Sequence, residues 1–129
     1  MSDNMRTPLK NVRSLGSAHE GTDHFWRQRV TAVANLLLTP LFVALVVFLA
    51  GADYGIVRRV LGHPVVAILM MLFIGSALIH MRLGMQTIIE DYVHGEGRKI
   101  LLLMLNTFFV IAVGAICIFS LLKLSFVEV

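Results

Sequence analysis

Three long apolar runs, almost free of charge, decide what this chain can fold into. They cover about residues 30–50, 65–92 and 100–122. Each reaches or exceeds the roughly 20 residues needed to cross a hydrocarbon core about 30 Å thick. A water-soluble domain of 129 residues would have to wrap its apolar side chains in polar surface, and about a quarter of its residues would be charged. Here 57% of the residues are hydrophobic and only 15% are charged. A bilayer removes the conflict, and inside it every backbone polar group must be satisfied within the segment. The expectation is an all-α membrane protein with three transmembrane helices.

The charges that remain lie beside the runs. Arg6, Lys10, Arg13, Arg27 and Arg29 precede the first, Arg58 and Arg59 follow it, Arg98 and Lys99 follow the second, and Lys123 ends the third. A net charge of +3 arranged this way orients a membrane protein and forms no stripe for nucleic acid. Seven cations fall on the N-terminal side and three on the other, so the positive-inside rule puts the N-terminus in the cytoplasm and the C-terminus in the periplasm. Residues 1–28 read as a polar cytoplasmic tail and residues 29–129 as a three-helix anchor domain. The tail holds no short apolar core with a cleavage site, so neither a signal peptide nor a transit sequence is expected. Pro40 marks a tolerated kink in the first span, Trp26 suits the interfacial belt, and Pro64 suits the first turn of the second span. Gly51, Asp53 and Gly55 read as a short loop. Cys117 is a lone cysteine in an apolar run, which leaves no disulfide or paired-cysteine metal site within the chain.

Only the second span carries ionisable groups within it. At 100° per residue, Ser76, His80, Gly84, Thr87 and Asp91 lie within about 40° of the His80 direction. Asp91 follows His80 by three turns, about 16 Å along the axis. A polar side chain at bilayer depth is costly and usually faces the protein interior to bind or conduct something. His80 can ligate haem iron through one ring nitrogen, relay a proton, or hydrogen-bond another helix. Gly84 opens a gap for a flat macrocycle or serves helix packing. Asp91 and Tyr92 reach the interface, where a phenol can hydrogen-bond a quinone carbonyl beside a proton-relaying carboxylate, or simply end the span. Two carboxylates, Glu90 and Asp91, at a helix C-terminus oppose the dipole and call for a cationic partner. Arg82 points about 200° away from His80, and its role is open: it can snorkel, pair with another subunit or meet an anionic group.

The run from Leu78 to Val93, with His80, Gly84 and the Asp91-Tyr92 pair at their spacing, resembles the second-helix signature of the succinate dehydrogenase hydrophobic membrane anchor family. Arg29-Val30-Thr31-Ala32 resembles that family's Arg-x-Thr-Ala stretch, and the resemblance covers about residues 26–122. It implies a multi-pass subunit of the bacterial inner membrane, without catalytic activity alone, that joins a cytochrome b subunit to hold the iron–sulfur and flavoprotein subunits on the membrane. His80 would give one axial ligand to a haem b shared with the partner. Tyr92, with Asp91 beside it, would bind ubiquinone, and Arg29 would lie near the haem propionates or the quinone pocket. The rival readings are a fumarate reductase or other quinone-linked cytochrome b anchor, a small transporter without haem, and a structural scaffold. A transporter would usually bury its carboxylate in mid-span, whereas Glu90 and Asp91 close the second run.

Overall fold

The computed structural model describes residues 20–126 together with Leu9. Four helices follow one another: α1 (Glu20–Leu49), α2 (Tyr54–Leu61), α3 (Pro64–Tyr92) and α4 (Glu96–Phe126). Residues 20–126 form no strand. Three of the helices, α1, α3 and α4, are long and apolar enough to cross a membrane, as expected. With 30, 29 and 31 residues they are each about 45 Å long, more than the hydrocarbon core alone requires.

The extra length lies at the ends. The helix that holds the first span begins ten residues before it, at Glu20, and the third begins at Glu96, inside the segment read as a loop. Leaving the hydrocarbon lifts the need for apolar side chains but does not end a helix; only a lost backbone partner does that. Glu96 in the first turn of α4 also suits the positive end of its dipole. The connection between α3 and α4 therefore shrinks to residues 93–95. α1 runs unbroken through Pro40 and ends where Gly51 takes a φ of 82°, a left-handed conformation that glycine accepts without strain.

The short loop expected after the first span contains a helix. α2 fits two turns between Asp53 and Gly62, with Arg58 and Arg59 in its last turn, where cations suit the dipole. Val57 and Leu61 turn towards α1 and α3, where they line an apolar recess of about 400 Å³ with Leu45, Leu49 and Met70. Gly62 then lets the turn into α3 lie against the last turn of α4: a Cβ there would come within 2.8 Å of the Leu124 carbonyl oxygen.

α3 is the middle helix, packed on α1 along one side and α4 along the other. A flat layer of three helices encloses little. Among the described residues the buried hydrophobic side chains are Ala67, Leu83, Ile89 and Leu121, while a long series of Leu, Val, Ile and Phe points outward. In water that surface would be untenable; against lipid tails or further apolar helices it costs nothing. What holds the layer is close packing and a few polar bonds. Gly114 of α4 receives Leu78 of α3, whose Cδ1 sits 3.1 Å from where a Cβ would be. Asn106 Nδ2 donates across the same seam to the Arg82 carbonyl at 3.0 Å. Phe42 stacks on Phe73 between α1 and α3 with 4.7 Å between ring centroids.

Candidate functional site

The seam between α1 and α3 is polar through its middle, and both faces of it are periodic. On α3, Ser76, His80 and Gly84 recur every four residues. On α1, His24, Gln28, Thr31 and Asn35 follow at intervals of four, three and four, within about 60° of one another around the helix. Thr31 is the buried polar residue of this face, 9% exposed. Its Oγ1 donates to the Arg27 carbonyl at 2.7 Å, with the Gln28 carbonyl at 3.2 Å. The same oxygen lies 3.2 Å from His80 Nδ1. One turn earlier on α3, Ser76 donates to the Thr31 carbonyl at 3.3 Å. His80 is therefore held on the inner edge of its helix, half-buried in mid-span, by the residue at the centre of the Arg-x-Thr-Ala stretch.

Gly84 lies on the α1 side of α3. Its open side faces the Gln28 side chain of α1, whose Nε2 lies 3.6 Å from the position of a Cβ. Three atoms along the α1 face, His24 Nε2, Gln28 Oε1 and Asn35 Oδ1, are buried without a hydrogen-bond partner among the described residues. Buried polar atoms left in this state usually take water or a ligand.

Asp91 and Tyr92 stand apart from this seam. They close α3 about 18 Å along the axis from His80. Tyr92 is 78% exposed, and neither side chain bonds another described residue. The cation expected near the carboxylates is Lys99, but it meets the backbone: Nζ donates to the Glu90 carbonyl at 2.8 Å, capping an otherwise unpaired carbonyl of the helix end. The Glu90 carboxylate accepts instead from Gln86 Nε2 at 2.8 Å. Arg29 lies two residues from Thr31, on the other side of α1, exposed, with its guanidinium 4.8 Å above the Phe25 ring. The structure does not bring it to His80. Arg82 lines a small cleft with Asp23, His24, Arg27 and Gln86 at the same end of the seam. No group of three or more His, Cys, Asp or Glu able to hold a metal occurs among the described residues.

The donor chemistry at His80 fits a haem with one ligand from this chain. A hydroxyl has one proton, and the short bond to the Arg27 carbonyl takes it. Thr31 Oγ1 can then accept from His80 in the tautomer that carries its proton on Nδ1. Nε2 keeps its lone pair, the state that a metal ligand needs.

Sequence reasoning found His80 and the stripe it belongs to but missed its partner. Thr31 was legible only as part of a motif, and Asn35 as one mild polar residue. The four-three-four spacing of polar side chains on α1 was the available signal.

Comparison with known proteins shows the family. Residues 3–115 match the family described as the succinate dehydrogenase/fumarate reductase transmembrane subunit. The chain is 36% identical over 119 residues to the succinate dehydrogenase hydrophobic membrane anchor subunit of Paracoccus denitrificans, covering 92% of each chain. It is 27% identical over 116 residues to the protein of that name from Rickettsia bellii, covering 89% of this chain and 93% of the other. A succinate dehydrogenase membrane anchor subunit of Reclinomonas americana is 35% identical over 92 residues, 66% of this chain and 73% of that one. No solved structure matches the chain.

Proposed function

The chain belongs to the succinate dehydrogenase/fumarate reductase transmembrane subunit family, and on that footing we propose how its residues serve a succinate dehydrogenase on the membrane. The anchoring role follows from the family and from three spans whose apolar surface exceeds what one another can cover. In this reading that surface is shared between lipid and a second helical subunit, a cytochrome b, while the iron–sulfur and flavoprotein subunits dock at the cytoplasmic end.

His80 supplies one axial nitrogen, Nε2, to a haem b completed by a ligand from the partner subunit. The observation that supports this is the Thr31 contact, 3.2 Å from Nδ1, which suits the tautomer with Nδ1 as the donor and a lone pair on Nε2. When bound, the haem supplies a one-electron store near the path from the iron–sulfur subunit to quinone. The chain itself contributes orientation and exclusion of water, with α1 and α3 closing on two sides of the imidazole.

At the C-terminal end of α3, Tyr92 donates a hydrogen bond to a carbonyl of ubiquinone, and Asp91 passes protons from the aqueous side as the quinone is reduced. Both side chains are exposed and bond no other side chain among the described residues, which suits a site finished by other subunits. An apolar molecule with two carbonyls fits the hydrocarbon boundary and needs few polar groups. Arg29, on the outer side of α1, is free to meet an anionic group of the cofactor or the quinone pocket once the partner is in place.

The test is His80→Ala in the assembled complex. The expected result is loss or marked change of the b-type absorbance, with the complex still on the membrane. An unchanged haem spectrum would reject the ligand role.

A further inference from the structure

We propose that Thr31 is the positioning residue of the haem ligand, an acceptor that fixes the His80 tautomer and strengthens Nε2 as a donor to iron. This rests on the haem reading given above and deepens it. Thr31 touches neither iron nor quinone in this reading; it acts through His80.

Four features of the seam support it. First, the Thr31 hydroxyl is oriented before His80 is considered: its proton goes to the carbonyl one turn back at 2.7 Å, a bond any helix allows a threonine. Second, the side chain is 9% exposed, which limits the access of water to the oxygen. Third, the threonine backbone is gripped by the same helix that carries the histidine, since Ser76 donates to the Thr31 carbonyl. Helix α3 thus meets Thr31 at two points one turn apart, and this fixes the height of His80 against α1. Fourth, Gly84, one turn beyond His80, lies beside Gln28, whose Nε2 is 3.6 Å from where a Cβ would be, so α1 and α3 stay in contact on both sides of the 3.2 Å pair.

A metal-bound imidazole whose second N–H bonds an acceptor is a better electron donor than one whose N–H is free. A better donor favours the ferric state over the ferrous one. Removing the acceptor should therefore raise the midpoint potential of the haem and weaken its retention. Losses of such outer partners typically cost about 10–100-fold in affinity for the bound metal.

The experiment uses the whole complex in its membranes and compares Thr31→Val, which keeps the shape and deletes the hydroxyl, with Thr31→Ser, which keeps the hydroxyl. Redox titration of the haem absorbance is the readout, and haem lost to an apo-globin acceptor is a second. The expected result is a higher midpoint potential and about tenfold faster haem loss in Thr31→Val, with Thr31→Ser close to the parent. A parental or lowered potential in Thr31→Val overturns the inference, whatever the yield of complex, because lost packing alone lowers yield. A raised potential that Thr31→Ser shares in full overturns it too, since the methyl would then suffice. Should the valine variant fail to assemble, Thr31→Ala is read in the same way. The two readings fail separately. Parental haem in His80→Ala removes the ligand assignment, whereas a parental potential in Thr31→Val beside lost haem in His80→Ala removes only this one.

Discussion

At the scale of single residues, the middle and the C-terminal end of α3 differ in what surrounds them, and substitutions should differ accordingly. His80 is bound from behind by Thr31 and half-buried, so its replacement changes a pocket as well as a ligand. Tyr92 is 78% exposed, and its side chain bonds nothing among the described residues. Tyr92→Phe should leave assembly and haem untouched and lower quinone reductase turnover about tenfold, the worth of one hydrogen bond of about 1.4 kcal/mol at the transition state. Turnover at the parental rate would remove Tyr92 from the quinone site. The sequence made His80, Asp91 and Tyr92 visible because a charge or imidazole stands out in an apolar run. It concealed Thr31, whose hydroxyl is cheap enough in a helix to need no special explanation.

At the scale of elements, spans were legible and their ends were not. Hydropathy reports where hydrocarbon begins, whereas a helix stops where its backbone loses partners, and α1 and α4 each run beyond the apolar stretch. α2 was hidden by the glycines around it, because Gly55 and Gly62 look like loop residues until the second is seen to let two backbones meet. Glycine packing gives a graded prediction. Gly62→Ala brings a Cβ to 2.8 Å from a backbone oxygen of α4, which cannot move alone, and should destabilise the fold by about 1–3 kcal/mol. Gly114→Ala meets only the end of Leu78 at 3.1 Å, a methyl that can rotate away, and should cost less. Thermal stability of the solubilised complex ranks the two, and the reverse order would show that the seam between α3 and α4 is the stricter one. Asn106→Ala, which deletes the bond to the Arg82 carbonyl, should cost only about 0.6 kcal/mol, as hydrogen bonds between membrane helices usually do.

At the scale of the whole molecule, a flat layer with little core explains why the chain is a subunit. α1 and α4 flank α3, and the outward faces of all three remain to be covered. From the cation balance we propose that the N-terminal side faces the cytoplasm. In cells carrying Arg98→Cys in a Cys117→Ser background, the new thiol should be shielded from an impermeant maleimide until the membrane is opened; prompt labelling of intact cells would invert the topology. That α3 turns a polar edge inward could be anticipated from periodicity, but that this edge faces α1, and through which residue, required the packed layer. The account depends above all on the ring nitrogen that Thr31 leaves open. It is tested most directly by the reduced-minus-oxidised spectrum of the His80→Ala complex, normalised to assembled complex. A lost or altered b-type band is expected, and a band of parental shape and height would contradict it.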